Sequence, residues 1–255
     1  MVDYGIKGKT AIVTGTGAVG SAVAELLMQE GANVVIGTRT VGEELLEKAR
    51  QRTEKYEGEN LVFKTDVSDE SSLQELFAHA LERFGAVDII VNNAGVWPTS
   101  YVKDMEVEDF RKTLDVNLIG PFILSKQMVN YCLEHGRKGK IVNMTSQAAF
   151  HGSTSGHAHY ASSKAGLVGF TISLAREVAQ YGINVNAVAP GIVESRMVSA
   201  IVDDPERRAR YLERIPVRKI ATGEDVAKIV LFLCSTQSDY MTGATLDVTG
   251  GMLMR

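Results

Sequence analysis

The chain has 255 residues, 45% of them apolar and 23% charged, and its 27 basic and 31 acidic side chains leave a net charge of −4. Near-average composition with a faint acidic excess excludes bulk disorder, a nucleic-acid platform and a polybasic membrane binder. Two cysteines, Cys132 and Cys234, exclude a disulfide framework and a four-thiolate zinc site and suit a reducing compartment.

No run of about 18 apolar residues could span a bilayer, and residues 1–9 carry no apolar leader, so a cytoplasmic protein with no membrane partner is expected. Short Val/Ile-rich runs at residues 10–14, 33–37, 61–64, 87–92, 140–145, 184–189 and 245–249 read as strands buried on both faces. Between them, amphipathic stretches at 19–29, 43–56, 71–84, 107–135, 160–181 and 224–234 read as helices. Leu73, Leu76, Phe77, Ala80, Leu81 and Phe84 follow the helical period, and Ser68, with Ser71 and Ser72 behind it, supplies the capping chemistry that starts such a helix. Strand–helix alternation with right-handed crossovers predicts an α/β protein, a doubly wound Rossmann fold on a mainly parallel, seven-stranded sheet. No linker, repeat or low-complexity block divides the chain, so residues 1–255 read as a single domain. Ligands of such sheets bind beyond the carboxyl ends of the strands, and those residues hold the candidate site.

The first strand runs into Gly15-Thr16-Gly17-Ala18-Val19-Gly20 and then into a helix. Glycines at these spacings let backbone approach a pyrophosphate, and the helix N-terminus offers free N–H groups, so a dinucleotide is expected here. The second strand ends at Thr38 and Arg39. An acid there would take the ribose hydroxyls of NAD(H); a guanidinium suits a 2′-phosphate, so NADP(H) is favoured over NAD(H). The fifth strand delivers Ser146 at its carboxyl end, and Tyr160 and Lys164 stand four apart on one helix face.

These residues, with Asn92-Asn93-Ala94-Gly95 after the fourth strand, Asn117, and Pro190-Gly191 after the sixth, resemble the short-chain dehydrogenase/reductase family over essentially the whole chain. The pattern departs from the family in three places. The glycine loop is one residue short with Ala18 at its middle glycine, the loop lacks the basic residue of many NADP-using relatives, and Thr249 stands where an Asp usually precedes the glycine pair. Residue chemistry gives Tyr160 as general acid, Lys164 as the cation that pulls the phenol pKa down, and Ser146 as an oxyanion-hole donor to the substrate oxygen. The resemblance adds Lys164 on the nicotinamide ribose and Asn117 holding a relay water. It also implies cofactor contacts from Asp66 and Val67 at the adenine, Asn93, Ala94 and Gly95 along the ribose, and Pro190, Gly191 and Val193 at the carboxamide, with Ser195 nearby. Asp66 also reads as a turn or helix-capping residue.

Substrate contacts are expected from Trp97, from His151 and His157, and from a mobile lid around residues 195–216. The histidines have no carboxylate or thiolate at ligand spacing, so no metal is expected. The small-molecule substrate reads as a free cyclic, aromatic or polyol ketone. The alternative is a 3-oxoacyl thioester, because residues 173–179 look like those of 3-oxoacyl-carrier-protein reductases and Arg137 and Arg176 fall where those enzymes meet the acidic carrier. Two further readings are a non-catalytic nucleotide sensor and a nucleotide-sugar epimerase. All four catalytic side chains argue against the first, and the length leaves no extra substrate region for the second. Apolar residues on more than one face of helices 107–135 and 160–181 predict a homotetramer or homodimer.

Overall fold

The computed structural model describes residues 3–195, 198–199 and 203–255. Seven strands, β1 (Thr10–Thr14), β2 (Asn33–Thr38), β3 (Asn60–Lys64), β4 (Ile89–Asn92), β5 (Gly139–Met144), β6 (Ile183–Pro190) and β7 (Thr245–Val248), form one sheet in the order β3-β2-β1-β4-β5-β6-β7. Every pairing is parallel, where sequence reading expected only a mainly parallel sheet. All strands therefore end at one edge, and strand order reverses between β1 and β4, the switch point where such sheets bind ligands.

Alternate residues of β1 feed two separate cores, which explains why its sequence is apolar throughout. Ala11 and Val13 pack with Val23, Leu27 and Met28 of α1 (Ala18–Gln29) on one face. Ile12 packs on the other face with Leu73, Leu76 and Phe77 of α3 (Glu70–Phe84). The second helix, α2 (Glu43–Lys55), connects β2 to β3 and is tied to α1 and β3 by Arg52, which reaches Glu25, Asn60 and the Ser21 carbonyl at 2.8, 3.1 and 3.1 Å.

Two local expectations are corrected. The cap of α3 is Asp69, whose carboxylate accepts from the Ser71 N–H, whereas Ser68 turns its hydroxyl to the Asp66 carboxylate and Ser72 accepts from the Asp66 N–H. The stretch read as one helix over 107–135 is α4 (Val107–Leu114), a π turn (Asp115–Ile119) and α5 (Gly120–His135). Pro121 has no N–H to donate, and at the turn the Gly120 N–H reaches back five residues to the Asp115 carbonyl. Beyond β5 come a short α6 (Ala148–His151) and α7 (Ala158–Val178), and beyond β6 come α8 (Pro205–Arg214) and α9 (Gly223–Cys234). Of the lid expected at 195–216, residues 196, 197 and 200–202 lie outside the described residues.

Candidate active site

The glycine loop is shaped by close approach. Gly15 has φ +81°, and a Cβ on Gly20 would stand 2.2 Å from the Gly15 carbonyl oxygen. Around Gly17, by contrast, a Cβ would meet nothing within 4 Å. Gly17 precedes α1, which has no side-chain cap and no acid in its first turn, so its N–H groups are left for an anion. The shortened loop thus keeps an open phosphate cradle, and the residues fit a nicotinamide dinucleotide. Thr14 Oγ1 accepts from the N–H groups of Asn93 and Ala94, both at 3.1 Å, and Asn93 Nδ2 donates back to the Thr14 carbonyl at 2.9 Å. The Asn93 side chain, expected along the ribose, is thereby spent on fastening the loop to β4.

Beyond the glycine loop, the Thr16 and Thr38 hydroxyls stand 3.5 Å apart, and Val19 in the first turn of α1 packs partly buried against the first core. Arg39 is exposed. Asp66 accepts from the Ser68 hydroxyl at 2.6 Å and the Ser68 N–H at 2.9 Å, which is the turn role. Those bonds, with a smaller contribution from Arg39, hold its carboxyl below the usual range. Val67 is buried, its carbonyl so close to Gly120 that a Cβ there would lie 2.4 Å away. Ala94 packs against the second core, and Gly95 faces inward, where a Cβ would be 3.3 Å from Asn117 Oδ1 and 3.5 Å from Lys164 Nζ. Pro190 ends β6 and accepts from the Gln147 N–H at 3.0 Å. The Gly191 N–H donates to the Val248 carbonyl, Val193 bridges to Ala221, and Ser195 is half-buried.

The three side chains expected to be catalytic converge from the end of β5 and from α7. Ser146 is buried, its Oγ accepting the Ala148 N–H at 3.1 Å, and it sits beside the half-buried Tyr160 ring. Lys164 is buried, with Nζ 2.7 Å from the Met144 carbonyl and 5.8 Å from the Tyr160 ring centroid. One electrostatic expectation is reversed. Burial pushes the Tyr160 phenol up from its ordinary value, and Ser146 alone eases it. Lys164 does not pull the phenol down, because its ammonium is aimed at Met144 and burial lowers it to about 8. Asn117 lies in the π turn and is fully buried, joined to both polar atoms of the Val96 backbone and to Ser163 Oγ.

The expected pocket residues separate. Trp97 is half-buried next to Tyr160, whereas His157 is buried behind it and stacked on its indole at 4.1 Å. His151 is exposed at the end of α6. Among the described residues no group of His, Cys, Asp and Glu could hold a metal ion. Arg137 donates to Asp88 at 3.0 Å and is thus tied to the sheet, while Arg176 is exposed on α7. Sequence reasoning missed the buried amide chain behind the site. Asn92 Nδ2 donates to Asn143 Oδ1 at 2.8 Å, and Asn143 Nδ2 donates to Thr171 Oγ1 at 2.9 Å, joining β4, β5 and α7. The available signal was a polar residue inside two apolar strand runs.

A dinucleotide cradle at the switch point and a Ser–Tyr–Lys group beside it define a nicotinamide-dependent oxidoreductase. The family model described as enoyl-(acyl carrier protein) reductase matches residues 14–253. The chain belongs to the short-chain dehydrogenase/reductase family and is an NAD(P)-dependent enzyme of it. It is 38% identical to the 3-oxoacyl-(acyl-carrier-protein) reductase FabG of Vibrio cholerae over 98% of this chain and 99% of that one. It is 39% identical to the Escherichia coli FabG over 97% and 98%. A solved Agrobacterium tumefaciens structure with bound NADP, provisionally assigned as a 2-deoxy-D-gluconate 3-dehydrogenase, superposes with TM-score 0.90 at 34% identity and covers 99% of both chains. Among the described residues no helix is long and apolar enough to cross a membrane.

Proposed function

We propose that the chain interconverts a free cyclic, aromatic or polyol ketone and its secondary alcohol, using NADP(H), with residues 1–255 acting as one domain and segment 195–216 as its lid. The carrying observation is the convergence of Ser146, Tyr160 and Lys164 at the strand ends beside Gly95. The nicotinamide supplies or takes the hydride when bound. Tyr160, kept protonated by burial, passes its proton to the carbonyl oxygen. Ser146 Oγ has a lone pair engaged by the Ala148 N–H, so its own hydrogen turns to that same oxygen and supports developing negative charge. Lys164 holds the ribose hydroxyls, and Asn117, in the opened turn beside Val96, holds the water that returns the proton to Tyr160 through Lys164.

Exposed Arg39, with no acid at the end of β2, supports NADP(H), as does the NADP bound to the Agrobacterium relative. A free ketone is supported by the Arg137–Asp88 pair, which occupies one of the two arginines expected at an acidic carrier. A second reading, a 3-oxoacyl-carrier-protein or 3-oxoacyl-CoA reductase, is favoured by the FabG relatives over nearly the whole chain. Exposed apolar side chains on α5 and α7 support a homotetramer, and two free, buried cysteines support a cytoplasmic location. The test is a matrix of NADPH and NADH against cyclic diketones, aryl ketones, polyol ketones and 3-oxoacyl thioesters, run with the wild type and Tyr160→Phe. NADPH-linked turnover of a free ketone, lost in Tyr160→Phe, is expected. Turnover confined to thioesters selects the second reading, and undiminished turnover by Tyr160→Phe removes both.

A further inference from the structure

Residues 96–100, which follow β4, are fastened at three points. The Val96 N–H donates to Asn117 Oδ1 at 2.9 Å, and Asn117 Nδ2 donates to the Val96 carbonyl at 3.0 Å. His157 Nδ1 lies 2.8 Å from the Pro98 carbonyl oxygen. The Ser100 N–H donates to the Gly156 carbonyl at 2.8 Å, and Gly156, at φ +84°, comes so near the loop that a Cβ would stand 3.0 Å from Thr99 Cγ2.

Trp97 is carried between these fastenings. One indole face lies on the His157 ring, with centroids 4.1 Å apart and planes at 15°, and the indole meets the Tyr160 ring edge-on at 6.4 Å and 71°. A carbonyl oxygen only accepts, so the Pro98 contact fixes the imidazole hydrogen on Nδ1 and leaves Nε2 facing Thr99 Oγ1 at 3.5 Å. Both ring nitrogens and one ring face are thus taken up by the loop, and His157 is only 5% exposed. It has no group left to offer a substrate.

We propose that His157 is a positioning residue that holds Trp97 as a rigid, flat wall beside the Tyr160 phenol, and that this wall selects ketones whose carbonyl is carried on a ring. The inference rests on the reductase reading above and names its substrate class more closely. An indole locked in advance loses no further rotamer freedom when a substrate arrives, so its open surface works at full strength. A ring covers that surface in offset contact over most of its area, whereas a flexible chain must first be straightened against it.

Trp97 is the single tryptophan of the chain, so its emission reports on this stack alone. The experiment compares wild type, His157→Ala and His157→Phe in NADPH-linked reduction of a substituted cyclohexanone and of an unbranched ketone of equal carbon number. His157→Ala is expected to raise KM for the cyclic ketone about tenfold, or 1.4 kcal/mol, with kcat falling less than about threefold. The preference for the cyclic over the open-chain ketone falls at least about fivefold, and Trp97 emission shifts to the red as water reaches the bared indole face. His157→Phe keeps the stack without the Pro98 bond, and is expected to recover the emission and most of the KM.

Equal KM changes for the two ketones, or no emission shift in a folded His157→Ala protein, overturn the proposal. If the wild type reduces neither ketone, the free-ketone reading fails instead. The positioning role is then decided by emission alone: a red shift reversed in His157→Phe upholds it, and its absence overturns it.

Discussion

Lys164 shows why side-chain chemistry can be read from sequence while its electrostatics cannot. The spacing of Tyr160 and Lys164 is written in the chain, and so is Ser146 at a strand end. The atom that turns the ammonium away from the phenol is the Met144 carbonyl, which is common to every residue type and leaves no mark in sequence. Burial that lowers Lys164 from 10.5 to about 8 makes its charge a cost to the fold below pH 8. In the unfolded chain the lysine stays protonated up to about 10.5, so the cost fades as pH rises from about 8 to about 10.5. Replacing it removes a penalty of about 3 kcal/mol, offset by the lost bond to Met144 of about 1–2 kcal/mol. Lys164→Met is therefore expected to gain about 1–2 kcal/mol in urea unfolding at pH 7 while losing at least a hundredfold in turnover. That gain should cross zero between about pH 8 and about pH 10.5 and become a loss of about 1–2 kcal/mol, the value of the Met144 bond, once the charge penalty has gone; a gain that stays constant with pH would place its origin in packing rather than charge.

Among the elements, the regular parts were the legible ones. Strands β1 and β2 are apolar on both faces because helices cover both, and this is a property of composition. The break at residues 115–119 was hidden, since α4, the π turn and α5 share one amphipathic run, and only Pro121 hinted at the widened turn that buries Asn117. The helix cap at Asp69 was misread as Ser68 because Ser and Asp cap equally well and only geometry chooses between them. In the glycine loop, spacing announced the motif but not which glycine is indispensable. A Cβ at Gly20 would be driven against the Gly15 carbonyl at 2.2 Å, whereas one at Gly17 meets open space. Gly20→Ala is accordingly expected to lower stability by about 1–3 kcal/mol and to raise the NADPH dissociation constant at least about tenfold. Gly17→Ala should stay within about 0.5 kcal/mol of wild type in stability, yet also weaken NADPH by filling the mouth of the cradle. Calorimetry with a fluorescence titration separates the two. Equal destabilisation by both variants would refute the close-contact argument.

At the scale of the whole molecule, one chain leaves apolar surface that neither core claims. Phe122 on α5 is 43% exposed and Ile172 on α7 is 39% exposed, with Ile119 and Leu133 also bare along the π turn and α5. Phe122 meets Phe170 edge-on at 6.0 Å, so α5 and α7 touch beside this exposed surface, and Ile119, Phe122 and Leu133 recur at helical spacing along the π turn and α5. The amphipathic pattern made this face visible in sequence, because helices 107–135 and 160–181 carry more apolar positions than a sheet can cover. A closed assembly buries such a face by pairing it with its own copy, which supports the homotetramer. Phe122 and Ile172 are exposed and are not among the bonded partners of Ser146 and Lys164, so charging them tests association while leaving those contacts in place. Light scattering at micromolar concentration is expected to give the mass of four chains for the wild type. Phe122→Glu combined with Ile172→Glu should give one or two chains, with secondary structure retained by circular dichroism. A wild type that scatters as a single chain would show that this face serves some other contact.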